Sequence, residues 1–302
     1  MRLATINTPA GPRLHVRGHS GHIDIAGATG DPRFATLGSF LAVGPAAMDA
    51  ARALTGRDGI AYPPADFGPA VPAPERVLCF GVNYGEHAVE SRGEVPTWPE
   101  VFVRGHGSVL GPYADLVKPA LTDRYDYEGE LGVVIGAGGR YIPASKALDA
   151  VAGFVVLNDA SARDWQRANT QWTPGKNFDA SMPIGPEVVT PDEADVSDAA
   201  LTTTLNGEVM QSARTSQMIV DIASGIEYLS SFTTLVPGDV IATGTPGGVG
   251  FARTPPVWLT PGDIIEVTVE NVGTIRNHVV AEQGAPQTWR WHPQPADPAK
   301  PL

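Results

Sequence analysis

The stretch Tyr125-Asp126-Tyr127-Glu128-Gly129-Glu130-Leu131-Gly132-Val133-Val134-Ile135-Gly136 decides how the rest of the chain is read. Its second half is a short apolar run rich in β-branched residues and bounded by glycines, which predicts a strand over residues 132–135. Its first half is acidic. Side chains two apart on a strand point to the same face, so Glu128 and Glu130 project together. Their carboxylates repel unless a proton or a cation lies between them, and hard oxygen donors of this kind suit Mg²⁺, Mn²⁺ or Ca²⁺. A pair of glutamates on a strand is more commonly a solvated face, so spacing alone leaves both readings open.

A second apolar run, residues 153–157, ends in Asn158-Asp159 and leads to Ser161-Ala162-Arg163-Asp164. An aspartate at that point lies where a strand delivers ligands to a pocket; it could equally cap a helix over residues 161–168. Further strands are expected at 101–103, 201–205, 240–242 and 264–269. Other helices are expected at 45–54, an Ala-rich segment, and at 217–229. In the latter, Met218, Ile222, Ile226 and Leu229 fall on one face at spacings of 4, 4 and 3. So few helices among so many strands argue for a mixed, largely antiparallel β architecture. A doubly wound sheet needs a helix after nearly every strand. The 34 Gly and 28 Pro fit short strands joined by turns. The proline-rich stretch 63–74 reads as a linker. This divides the chain into a small N-terminal α+β domain (1–72), a β domain (73–284) and a Pro-rich C-terminal tail (285–302).

Composition narrows the function. The 302 residues, 42% hydrophobic, suffice for one large domain or a large and a small one. Lys and Arg number 21 against 33 Asp and Glu, a formal charge of −12. Such a surface repels phosphate backbones and anionic lipid, so nucleic acid and membrane are not expected as partners. The N-terminus lacks the apolar core of a signal peptide, and no run approaches the roughly 18 apolar residues of a membrane span. A cytoplasmic location is expected. The single cysteine, Cys79, forbids an intramolecular disulfide and, within an apolar run, reads as a buried, inert thiol.

Three other segments carry chemistry. In Asn83-Tyr84-Gly85-Glu86-His87-Ala88-Val89-Glu90, His87 and Glu90 are three apart. On a helical turn the carboxylate can orient the imidazole as a general base, although an ordinary surface pair has the same spacing. Lys176, in Gly175-Lys176-Asn177-Phe178-Asp179, could partner an oxyanion or simply face solvent. The loop Thr243-Gly244-Thr245-Pro246-Gly247-Gly248-Val249-Gly250 lacks the Gly-Lys-Ser/Thr ending of a phosphate loop, yet it can present backbone N–H groups to an anion.

Taken in order, these segments, with Asn206-Gly207-Glu208 and Pro237-Gly238-Asp239-Val240-Ile241-Ala242-Thr243-Gly244-Thr245-Pro246, resemble the fumarylacetoacetate hydrolase family over residues 76–280. The resemblance implies a β-roll with a smaller N-terminal domain, forming a homodimer. It implies Glu128, Glu130 and Asp159 as ligands of Mg²⁺ or Mn²⁺, with Ca²⁺ as a substitute occupant. A water-activating dyad falls on His87 and Glu90, carried by a segment that closes over the substrate. Lys176 joins the catalytic set, and Arg163, Gln166 and Thr245 orient the substrate.

The implied reaction is hydrolysis of a carbon–carbon bond in a small 2,4-dioxo acid such as an acylpyruvate. A lyase or isomerase on the same scaffold is the rival enzyme, and a ligand-binding protein the rival outside catalysis. One departure concerns specificity. Many acylpyruvate-cleaving relatives carry a lysine where Arg104 stands, in Phe102-Val103-Arg104-Gly105-His106. A planar guanidinium and a point charge are not equivalent at a carboxylate, so Arg104 is expected to meet the substrate and to alter its identity.

Overall fold

The computed structural model describes residues 1–92 and 94–284; the tail at 285–302 lies outside the described residues. The chain opens with β1 (Arg2–Thr8), β2 (Gly11–Arg17) and β3 (His22–Asp24), then α1 (Ile25–Thr29), α2 (Leu37–Val43) and α3 (Pro45–Arg52). Next come β4 (Val77–Gly81), α4 (Gly85–Arg92), β5 (Glu100–Arg104), β6 (Val109–Leu110), β7 (Leu116–Lys118) and β8 (Tyr125–Asp126). The acidic segment then enters β9 (Gly129–Ile135), followed by β10 (Val151–Asn158), β11 (Ser161–Ala162), α5 (Arg163–Gln166) and α6 (Thr173–Lys176). The rest is β12 (Met182–Val189), β13 (Ala200–Leu205), β14 (Glu208–Arg214), α7 (Ile222–Phe232), β15 (Val240–Ala242), β16 (Ile264–Val269) and β17 (Gly273–Ala281). The result is the mixed β architecture expected from the sequence.

The main sheet runs β3-β2-β1-β12-β10-β9-β15-β4-β5, with β6 attached to β12. A second sheet runs β14-β13-β16-β17-β7. Every residue of β9 and β10 is buried, because the sheet is covered on both faces there. That is why these strands read as continuous apolar runs. By contrast β13 and β16 alternate half-buried and buried positions, the signature of one wet face.

Residues 1–72 have the expected α+β content but no core of their own. β1 pairs antiparallel with β12 through Arg2↔Val189 and Leu3↔Val188, so the first three strands extend the main sheet. Leu3, Leu14 and Phe40 share one apolar cluster with Val77, Val155 and Ile184. Each such side chain contributes about 1.5–3 kcal/mol when fully buried, and here that gain is shared across the expected boundary at residue 72.

Two expected helices shift. The one predicted over 161–168 shortens to α5, because Ser161 and Ala162 pair with Asp126 and Tyr125 as a strand. The one predicted over 217–229 begins at Ile222, where Asp221 caps it by accepting from Ser224 N at 2.7 Å. Ile226 and Leu229 are buried as its periodicity predicts.

Register then fixes where the site lies. β15 is parallel to β4 (Ala242↔Cys79) and antiparallel to β9 (Ala242↔Gly132), while Asn158 at the end of β10 faces Gly129 at the start of β9. The carboxyl ends of β4, β10 and β15 therefore gather at the amino end of β9.

Candidate active site

Three carboxylates meet at that junction. Glu128, Glu130 and Asp159 are 5%, 1% and 1% exposed, and each offers an oxygen within 4.8 Å of the others. The same-face reading of the glutamate pair thus holds in its buried form. The intervening Gly129 has a packing reason: a Cβ there would overlap Thr203 Oγ1 of the second sheet. Asp159 caps no helix, since α5 starts from Ala162 without a side-chain cap.

The cluster is heavily cross-braced. Glu128 accepts from Arg163 Nη1 and Lys176 Nζ, both at 2.6 Å. Lys176 Nζ also donates to Asp159 Oδ2 at 2.6 Å, and Arg104 Nη1 donates to Asp159 Oδ1. Burial opposes ionisation of Glu128, but Arg163 and Lys176 outweigh it and hold this carboxyl below the usual carboxylate range. Glu130 has the opposite fate. Burial first, then the charges of Asp159 and Glu128, push its carboxyl well above the usual range. Its Oε2 accepts from Gly244 N at 2.8 Å, yet it makes no ion pair among the described residues. A buried carboxylate beside two others, lacking a countercharge, is what a divalent cation relieves, and the donor set is all hard oxygen. The residues therefore fit a divalent metal. Four carboxylates (Asp126, Glu128, Glu130, Asp159) face three cations (Arg104, Arg163, Lys176) here. An added dication would turn this balance positive and suit an anionic substrate.

Glu128 and Glu130 open onto a cavity of about 190 Å³ whose lining also includes His87, Arg163, Lys176 and Thr245. That is below the ≈ 300–1,000 Å³ of pockets for drug-sized ligands. His87 is buried, on α4, and its Nδ1 lies 2.8 Å from Glu90 Oε1. Glu90 Oε2 in turn accepts from Gly248 N at 2.9 Å. With Nδ1 engaged by a carboxylate, Nε2 is the basic nitrogen. Gln166 also lines the cavity, accepting from Arg163 Nη1 at 2.9 Å.

Two expectations change. Arg104 does not reach the cavity. Its side chain is 0% exposed and, besides Asp159, donates to the Ala160 carbonyl at 3.1 Å and to Ser181 Oγ at 2.5 Å. It holds a carboxylate of the protein where a substrate carboxylate was expected. Three glycines of the 243–250 loop spend their N–H groups on the protein. Gly244 serves Glu130, Gly248 serves Glu90 and Gly250 serves Asp126 at 2.8 Å. Thr245 donates to the Gly129 carbonyl at 3.0 Å while lining the cavity.

Sequence reading assigned no role to Asp126 or Gln211. Asp126 Oδ2 accepts from Arg163 Nε at 2.7 Å and from Phe251 N at 3.1 Å, fixing both. Gln211, from the second sheet, accepts from Gly129 N at 3.0 Å and donates to Thr245 Oγ1 at 2.8 Å, tying the sheets together beneath the glutamates. The local Tyr-Asp-Tyr-Glu context could have flagged Asp126; nothing local marks Gln211.

Fold and site together define a β-roll enzyme with a buried carboxylate trio and a histidine–glutamate dyad over one small cavity. The sequence profile described as Fumarylacetoacetate (FAA) hydrolase C-terminal matches residues 76–280, and the chain belongs to that family. It is 40% identical over 288 residues to a protein of Bos taurus named oxaloacetate tautomerase FAHD2A, mitochondrial, covering 93% of this chain and 92% of the relative. Fumarylacetoacetate hydrolase from psychrophilic Exiguobacterium antarcticum superposes with a TM-score of 0.83 at 33% identity, covering 93% of this chain and 100% of that one. Maleylpyruvate hydrolase from Sphingobium sp. SYK-6, solved with manganese (II) ion and pyruvate, superposes with a TM-score of 0.74 at 28% identity, covering 94% and 100%. No helix among the described residues is long and apolar enough to cross a membrane.

Proposed function

We propose that this protein catalyses proton transfer at the carbon beside the carbonyl of a small 2-oxo acid, interconverting its keto and enol forms with the help of Mg²⁺ or Mn²⁺. The observation that carries this reading is a buried imidazole, fixed by a carboxylate at 2.8 Å, on the same small cavity as Glu128 and Glu130, two of three converging carboxylates. Glu128, Glu130 and Asp159 would hold the metal, which supplies positive charge and Lewis acidity to the carbonyl end of the substrate. His87 Nε2 takes the proton from carbon, and Glu90 stabilises the imidazolium that forms. The imidazolium returns the proton to the enolate oxygen, directly or through water, so one C–H bond is exchanged for one O–H bond. Lys176 Nζ adds fixed positive charge beside the carbonyl as the oxygen becomes anionic. Similarity at 40% over nearly the whole of both chains to proteins named oxaloacetate tautomerase supports this reading.

The second reading is hydrolysis of a carbon–carbon bond in a 2,4-dioxo acid. It is favoured by the same dyad, which can take a proton from water as well as from carbon, and by the likeness to maleylpyruvate hydrolase. The test follows the enol absorbance of oxaloacetate, and product formation from acetylpyruvate, with Mg²⁺ or Mn²⁺. Accelerated ketonisation without cleavage is expected; cleavage of acetylpyruvate without ketonisation would replace the first reading with the second.

A further inference from the structure

Beyond the first cavity lies a second, of about 570 Å³, which shares Arg163, Arg167 and Phe251 with it and adds Arg124 and Trp258. In a chain of net charge −12, this mouth gathers three guanidinium groups. They are not equivalent. Arg163 is buried and bonded to Asp126, Glu128 and Gln166, with only its Nη2 left without a partner among the described residues. Arg167 is exposed, and neither it nor Arg124 makes an ion pair among the described residues. The one acidic side chain lining this outer cavity, Asp164, has its Oδ1 occupied by Thr122 Oγ1 at 2.5 Å and Trp165 N at 3.1 Å.

Arg167 is nonetheless placed. Its guanidinium lies 4.3 Å from the centroid of the Phe251 ring, which Arg163 also approaches at 4.6 Å. Phe251 is itself anchored through its N–H to Asp126. Burial, then the neighbouring charge of Arg163, lowers the proton affinity of Arg167, and Arg124 adds to that repulsion. Arg167 and Arg124 carry no ion-pair partner among the described residues, so an anion arriving at this mouth relieves their repulsion, and a guanidinium fork matches a carboxylate.

We propose that Arg167, assisted by Arg124, is the specificity-determining residue that holds the distal carboxylate of a diacid substrate. This rests on the proposed function, in which the carbonyl end of the substrate lies at the carboxylate trio. Arg167 would set specificity by holding the far end of the molecule across Phe251.

The probe is 3,3-difluoro-oxaloacetate, which has no hydrogen to enolise, together with its 4-methyl ester, which lacks the distal charge. Binding of both to the full chain with Mg²⁺ is measured by calorimetry. The wild type should bind the diacid at least about tenfold more tightly, as a charged hydrogen-bonded pair warrants. Arg167→Met keeps an apolar cover on Phe251 without the charge. It should weaken diacid binding by about tenfold and leave ester binding within about twofold, and Arg167→Lys should restore part of the loss. Equal weakening of both ligands by Arg167→Met, no weakening of the diacid, or failure of the wild type to bind either compound overturns the subsite. Catalysis is scored separately. Ketonisation with no diacid preference removes the subsite and leaves the function; a diacid preference without ketonisation does the reverse.

Discussion

At and behind the inner end of the cavity Glu128, Asp159, Arg104, Arg163 and Lys176 are all buried, and each is held by at least one opposite charge. At the outer end His87 rides on α4, an eight-residue helix whose Val89 is left exposed, and Arg167 stands in the open just past α5. The inner end grows from strands buried on both faces. Among the contacts that position the outer end are those of Asn83 with Val220 and Thr243, Glu90 with Gly248, and Arg167 with Phe251. So short a helix gains little stability by itself and takes its position from such ties. The inner half is therefore built to hold fixed charge, and the outer half sets a buried imidazole beside a more exposed guanidinium.

The strongest way to break this comparison is Glu130→Ala, which removes the carboxylate lacking a protein countercharge. Loss of Mg²⁺ and Mn²⁺ binding by calorimetry, with activity down by at least about 10³-fold, is the expected outcome. An enzyme that kept both would show that the inner end has no metal role. Next is His87→Asn. It should bind metal as the wild type does and lose about 10²–10⁴-fold in kcat, the usual worth of a positioned base. Unchanged turnover would move the base elsewhere.

How much of this was legible in the sequence follows the same division. Glu128, Glu130 and Asp159 are marked by local pattern, because same-face spacing and a strand end survive whatever the rest of the chain does. The inward strands β9 and β10 were visible as apolar runs for the same reason. Arg104 was misplaced because its partner lies 55 residues away, and no spacing rule says which side of a strand end will be sealed. Gln211 serves Gly129 across 82 residues and from another sheet, so only folding brings it there. β12 was missed because Met182-Pro183-Ile184-Gly185-Pro186 reads as a loop. Prolines cannot donate to a ladder; Pro186 falls where the pairing with β10 shifts register between Phe154 and Val156, and Pro183 lies opposite Leu110 of the short strand β6.

Arg104→Met isolates the bracing of the inner end from its chemistry. It leaves Asp159 buried with one cation fewer, and breaking a buried pair in this way costs about 3–5 kcal/mol. Denaturant unfolding should register that loss in the metal-free protein. Added Mg²⁺ should recover part of it, since a ligand at a hundred times its dissociation constant stabilises by about 2.7 kcal/mol. A variant as stable as the wild type would mean that Arg104 is dispensable to the carboxylate cluster.

The smallest effect separates scaffold from site most cleanly. Gln211→Leu removes an acceptor from the buried Gly129 N–H and a donor from Thr245 while touching no charged group. An unsatisfied buried polar group costs about 1–3 kcal/mol, so a modest drop in unfolding free energy is expected. If the link between the sheets also sets the spacing of Glu128 and Glu130, Mg²⁺ affinity should fall with it, whereas His87-dependent steps at saturating metal should not. A loss of stability with unchanged metal affinity would assign Gln211 to holding the two sheets together and nothing more. The inner end would then owe its geometry to the charges within it.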